Sequence, residues 1–310
     1  MGFLTTFLAG CQRVQDDIYT SAMAFERARA NLELTHVSAG DIDFALLTGG
    51  NPNGETILMV HGFGADKDSW VRLAIELKDT YHLIAVDLAG HGESSLYKNN
   101  KGEELGFLIT SQAARLNALL DKLKIKKVHL MGNSMGGAIG LAFAALYPQR
   151  LQSLVLLDNA GIESPRESEF FKLLDKGENP LIARKPGDYF ELLDFVMSEK
   201  PFIPWPVSAV MERKAIARVD LNDKVFADLM KSQAEMGEAD FVNSMLTTIK
   251  TPSLIIWGEE DRVLDVSCVK VMETYMPNAK SVILPGIGHV PMVEAPEQVS
   301  VAFRNFVANL

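Results

Sequence analysis

The chain has 310 residues, 47% of them apolar and 23% charged, ordinary proportions for a globular protein with a large buried core. A net charge of −10 and a pI near 5.2, with no basic stripe to offset them, exclude nucleic acid as a partner. No run of about 18 apolar residues occurs, so no segment reads as a conventional membrane-spanning helix.

In chain order, residues 1–30 read first as an N-terminal helical segment. Within it Leu8-Ala9-Gly10-Cys11 resembles a bacterial lipobox, whose cysteine is lipidated, although Met1 to Phe7 contains no Lys or Arg. The expectation is attachment to the cell envelope through Cys11, with membrane-surface association through the N-terminus, rather than a cytoplasmic location. Cys11 and Cys268 form no disulfide framework; Cys268 falls in a helical stretch and reads as a small buried apolar residue. The alternation of Leu32, Leu34, Ile42, Phe44 and Leu46 predicts an antiparallel hairpin turning near Ala39-Gly40-Asp41.

The pattern then changes. Continuous apolar runs at Thr56–Val60, His82–Val86, Val128–Met131, Leu154–Leu157, Leu254–Trp257 and Ser281–Leu284 predict strands covered on both faces. Helix-period stretches at Trp70–Leu77, Ile109–Leu123, Met135–Tyr147 and Val266–Tyr275 separate most of them, and a last one carries Val299, Phe303 and Phe306. Strand and helix in alternation mean a mostly parallel, doubly wound α/β sheet. The core is assigned to residues 31–161 and 247–310. Residues 162–246 carry helical patterns without a strong strand and read as an inserted helical cap over the carboxyl edge of the sheet, where open α/β sheets bind ligands.

Gly132-Asn133-Ser134-Met135-Gly136 directly follows the strand at Val128–Met131 and opens a helix. A serine on so sharp a turn projects its Oγ out of the sheet, and the flanking glycines remove the Cβ atoms that would clash. Serine is a poor nucleophile unless a base takes its proton and an acid orients that base. His289, in Pro285-Gly286-Ile287-Gly288-His289 after the last strand, is the candidate base. His36, His82 and His129 lie in or beside strands and read as structural. For the acid, Asp261 follows one strand and Asp158 another, and both can reach the histidine. Glu259 and Glu260 share the Asp261 turn, which directs them outward. His61-Gly62-Phe63-Gly64 follows the strand at Thr56–Val60, so the backbone N–H groups of Phe63 and Met135 are expected to form the oxyanion hole. Asp87-Leu88-Ala89-Gly90-His91-Gly92-Glu93-Ser94 reads as a tight structural turn tied down by Asp87.

Taken together, these motifs resemble the α/β-hydrolase fold superfamily over nearly the whole chain. More narrowly, His61 to Gly64 with Lys67-Asp68, Gly132 to Gly137, Trp257-Gly258 and Gly288 to Glu294 resemble Moraxella/Psychrobacter-type bacterial lipases. Trp257 to Val266 also resembles the monoacylglycerol-hydrolysing relatives. The resemblance implies a serine esterase acting on lipid esters, with Ser134, Asp261 and His289 as the triad; the Gly-x-x-Asp loop ending at Asp261 favours it over Asp158. Phe171, Phe195, Trp205 and Val290 are the candidate substrate contacts. The mechanism calls for no metal and no cofactor. A carbon–carbon bond hydrolase of the meta-cleavage type shares the Gly-Asn-Ser-Met-Gly-Gly elbow and is the alternative. Against it, Val290-Pro291 stands where those enzymes carry a tryptophan. A catalytically silent binding protein of the same fold is a third reading.

Overall fold

The computed structural model describes the backbone of residues 2–235 and 239–310 and the side chains of residues 11–234 and 242–310. Eight strands form one sheet: β1 (Leu32–Ala39), β2 (Ile42–Gly50), β3 (Thr56–Val60), β4 (His82–Val86), β5 (Val128–Asn133), β6 (Leu151–Leu157), β7 (Ser253–Gly258) and β8 (Lys280–Leu284). Their order is β1-β2-β4-β3-β5-β6-β7-β8. The hairpin β1–β2 and the β2–β4 pair are antiparallel; every other neighbour is parallel.

The helices are α1 (Gly2–Arg29), α2 (Val71–Leu77), α3 (Ile109–Lys122), α4 (Met135–Leu146), α5 (Glu169–Leu174), α6 (Asp188–Val196), α7 (Val207–Ile216), α8 (Val219–Glu235), α9 (Ala239–Thr248), α10 (Cys268–Tyr275), α11 (Pro291–Glu294) and α12 (Pro296–Val307). Helices cover both faces of the sheet, which is why its central strands are apolar without alternation. Leu58 and Val60 of β3 face a core shared with Leu116 of α3 and Phe143 of α4. Ile57 and Met59 face a second core with Leu73 of α2 and Phe303 of α12.

Helices α5 to α9 fill the stretch between β6 and β7. Helix α1 links this stretch to the core. Arg27 donates from Nε and Nη2 to the Asp68 carboxylate at 2.6 Å each. Arg213 of α7 bonds Asp16, and Lys214 Nζ lies 4.4 Å from the centre of the Tyr19 ring.

The carboxyl ends of β3, β5, β6, β7 and β8 lead into the loops carrying Phe63, Ser134, Asp158, Asp261 and His289. His82 opens β4 and His129 stands near the start of β5, at the opposite edge. They bond Thr56 and Ser153 there, as structural histidines do.

Candidate active site

The chain between β5 and α4 turns within a single residue. Ser134 sits at φ 54°, ψ −119°, in the left-handed region that side chains avoid, and its own backbone anchors it there. Its N–H donates to Leu157 O, while its carbonyl accepts from the N–H groups of Gly137, Ala138 and Ala160. Two close approaches require glycine. A Cβ on Gly136 would fall 2.1 Å from Val60 O, and one on Gly132 would fall 2.3 Å from Gly136 O.

His289 Nδ1 donates to Asp261 Oδ2 at 2.8 Å, both groups being buried. The other carboxylate oxygen accepts from the N–H groups of Val263 and Leu264 at 2.8 and 3.0 Å. These two donors fix the rotation of Asp261, so its remaining oxygen has one direction in which to point. With Nδ1 protonated toward Asp261, Nε2 carries the free lone pair of the neutral ring. Among the described residues neither His289 Nε2 nor Ser134 Oγ has a hydrogen-bond partner. Asp158 instead accepts from Gly258 N–H at 2.8 Å. Asp158, Asp261 and His289 bring their polar atoms within 4.8 Å of one another. Gly258 N–H bonds Asp158 once, whereas Val263, Leu264 and His289 together bond both oxygens of Asp261, so Asp261 is the more firmly held of the two carboxyl groups.

Two residues beyond the sequence-derived set hold this geometry. Asn133 Nδ2 donates to His289 O at 3.0 Å and to Leu157 O at 3.2 Å, tying the histidine loop to the residue before Ser134. Glu294 accepts from the N–H groups of Ser198, Glu199 and Gly288 on Oε2 and of Val290 on Oε1. It thereby clamps the histidine loop to the end of α6, where His289 N–H also donates to Val196 O at 2.8 Å. The sequence signal for Glu294 was its place four residues after Val290. Its partners at 198 and 199 are distant in the chain, so no local pattern exposes them.

The loop after β3 lies against the serine: a Cβ on Gly62 would fall 3.1 Å from Ser134 Cβ. Among the described residues neither the Phe63 N–H nor the Met135 N–H has an acceptor. Free N–H groups beside the serine, that of Met135 at the start of α4, suit an oxyanion. His61 is structural here. Its Nε2 accepts from Leu88 N–H at 3.1 Å, so Nδ1 carries the proton and donates to Gly62 O at 2.8 Å; burial pushes the ring down to about 4. His91 packs on it with ring centres 4.9 Å apart and accepts from Gly64 N–H. Asp87 has the loop-tying place expected of it. It accepts from Lys67 N–H, Lys67 Nζ and Glu93 N–H at 2.7, 2.8 and 2.7 Å.

An apolar cavity adjoins Ser134. Phe63, Ile162, Phe170 and Phe171, then Phe226, Leu229 and Met230 of α8, then Val263 and Leu264 line it; Ser134 and Gln233 supply its polar side chains. Of the four expected substrate contacts, Phe171 is on this wall. The other three are not. Phe195 is buried against the Arg262 guanidinium, Val290 is half-buried against the second core, and Trp205 is 73% exposed. The α8 residues share one helix face by their i, i+3, i+4 spacing, and that period was the signal available for them.

Comparison with known proteins agrees with this geometry. Residues 55–186 match the α/β hydrolase fold family. Lipase 1 of Psychrobacter immobilis is 33% identical over 284 residues, covering 91% of this chain and 86% of the relative. Monoacylglycerol lipase ABHD6 of Homo sapiens is 27% identical over 294 residues, covering 92% and 85%. The crystal structure of a membrane phospholipase A, 36% identical, superposes with a TM-score of 0.90 over 99% of this chain and 96% of that one.

Proposed function

The chain belongs to the α/β-hydrolase fold family and is a carboxylic ester hydrolase of the lipase and esterase kind, and we propose that it cleaves monoacylglycerols and other medium-to-long acyl esters through an acyl-enzyme on Ser134. The observation that carries this reading is a strained serine opening on an apolar cavity walled by Phe63, Phe171, Phe226 and Leu229.

Ser134 Oγ attacks the ester carbonyl while His289 Nε2 takes its proton. The oxyanion moves toward the Phe63 and Met135 N–H groups, which need no reorganisation to receive it. Asp261 holds the ring through Nδ1 and stabilises the imidazolium that forms. His289 returns the proton to the leaving alcohol, and water repeats the sequence on the acyl-enzyme. The acyl chain lies against Phe171, Phe226 and Leu229. The ring of Phe63 packs on Phe226 at 5.5 Å, which couples the oxyanion loop to the acyl wall.

Membrane-surface association through α1 belongs to the same reading. Val14, Ile18 and Phe25 are exposed along one face of α1, and Cys11 is exposed on it. Among the described residues no helix is long and apolar enough to cross a membrane.

Initial rates on p-nitrophenyl esters from acetyl to palmitoyl and on monoacylglycerol test the proposal. Ser134→Ala is expected to lower turnover by about 10³-fold or more with an unchanged melting temperature. Phe226→Trp is expected to move the optimum toward shorter chains. Retained hydrolysis in Ser134→Ala would refute the acyl-enzyme.

A further inference from the structure

Two acidic side chains end neighbouring strands at the catalytic edge, and the mechanism above uses one of them. Asp158 follows β6 and Asp261 follows β7, which pair in parallel. Asp158 is fully buried. Its Oδ1 accepts from Gly258 N–H, whereas among the described residues no N–H or other donor reaches its Oδ2. A polar atom of Asp158 lies within 4.8 Å of one on Asp261 and of a His289 ring nitrogen. The backbone at Asp158 is held at φ 44°, a left-handed conformation that Asp and Asn tolerate better than other side chains. A second anion with an unsatisfied oxygen beside Asp261 would be costly in so dry a place. The conflict disappears when one proton lies between the two carboxyl groups.

We propose that Asp158 is a neutral carboxylic acid that donates its proton to the Asp261 carboxylate, and so acts as a positioning residue for the acid of the triad. The inference rests on the reading of Ser134, Asp261 and His289 as the catalytic set. The charged or titratable groups facing Asp158 are Asp261, His289 and Glu294. Burial first, and then the negative charge of Asp261, push its carboxyl well above the ordinary carboxylate range; Glu294 acts in the same direction and the Gly258 N–H opposes. The donated bond spreads the charge of Asp261 and restrains its carboxylate. Asp158 is not on the cavity wall, so its effect belongs in kcat and not in KM.

Asp158→Asn and Asp158→Gly test this, both residues being compatible with the positive φ. Asn keeps a donor for Asp261 and an acceptor for Gly258. It is expected to hold kcat/KM within about threefold, with the acid limb of the pH profile in place. Gly removes the donor. It is expected to lower kcat about tenfold at constant KM and to move the acid limb to higher pH, because a more concentrated charge on Asp261 favours the imidazolium. Infrared difference spectra of wild type against Asp158→Asn read the protonation state without activity, and a carboxylic-acid C=O band in the wild type at neutral pH is expected. Three results would overturn the proposal. One is absence of that band. Another is an acid limb moving down by about a pH unit in Asp158→Asn, the mark of a lost negative charge. The third is a folded Asp158→Gly enzyme with normal kcat and a normal pH profile. If the wild type shows no Ser134-dependent hydrolysis, the catalytic reading fails instead, and the infrared band still decides the state of Asp158.

Discussion

Lys67→Met would uncover the ion pair that holds the oxyanion loop. Lys67 is 1% exposed, and its Nζ lies 2.8 Å from Asp87 Oδ2, 3.0 Å from Glu93 Oε1 and 3.7 Å from Asp68 Oδ2. Asp87 is fully buried. Burial by itself raises the Asp87 carboxyl, but the Lys67 charge, helped by its hydrogen bond and by the backbone donors, holds it below the ordinary range. Methionine preserves the packed volume and removes the ammonium. Asp87 would then keep its two backbone donors, from Lys67 and Glu93, without a counter-charge. Removing one partner of a buried pair costs about 3–5 kcal/mol, and the backbone donors place this case near 3.

The pH dependence gives the mechanism a sign. In the wild type the lowered Asp87 carboxyl contributes stability that is present above its unfolded value, near 3.9, and lost as pH falls through its folded value. In Lys67→Met burial is opposed by the backbone donors without the Lys67 charge, the carboxyl takes up a proton at higher pH, and the difference between the proteins shrinks toward acid. Urea unfolding at pH 8 and pH 5, with constant m, measures this. Asp87→Asn on top of Lys67→Met is expected to recover more than half of the loss. Phe63 stands four residues before Lys67, so a displaced loop is expected to lower kcat about 10–100-fold where the protein remains folded. A loss below about 1 kcal/mol, or one independent of pH, would refute the reasoning.

Gly136→Ala is expected to cost about 3 kcal/mol or more, or to yield no soluble protein, because its Cβ would meet Val60 O at 2.1 Å and His61 O at 2.6 Å, both backbone atoms. Gly177→Ala faces open space at φ 80° and is expected to cost only about 1 kcal/mol, so equal melting temperatures for the two variants would contradict the packing argument. Stability is also expected to fall with acidification between about pH 6.5 and 4. His61 is pushed down to about 4 by burial, so the unfolded chain binds a proton that the folded ring refuses; this stability is complete above the unfolded value and lost as pH falls through the folded one. The effect of one such ring is up to about 3 kcal/mol. Burial lowers His91 as well. His61→Asn is expected to flatten the plot of melting temperature against pH, and an unchanged slope would remove His61 from the account.

Much of this architecture was written in local patterns. Apolar runs without alternation located β3 and β4 at the bounds the structure has, and the remaining core strands within a few residues, because a strand covered on both faces must be apolar throughout. The elbow at Ser134 was equally legible, since a one-residue turn between strand and helix demands small neighbours wherever it occurs. The place of Asp87 in its loop was visible in the glycines around it. Its partner Lys67 lies 20 residues earlier and required the fold.

The choice between Asp158 and Asp261 shows where local pattern ends. Both follow apolar strands, and both come within 4.8 Å of His289. The resemblance favoured Asp261; the physical difference is that Val263 and Leu264 turn back to donate to one of its oxygens and aim the other at Nδ1. The cavity wall was decided in the same way. Phe171, Phe195 and Trp205 are alike as large aromatic residues between β6 and β7, but the packing of α5 directs the first to the cavity, that of α6 the second to Arg262, and the turn before α7 leaves the third in solvent. Secondary structure and the elbow depend on neighbours within a few residues, which sequence periodicity records. The orientation of an acid, the clamp at Glu294 and the identity of a cavity wall depend on partners brought together from distant parts of the chain, and only the folded chain brings them within reach.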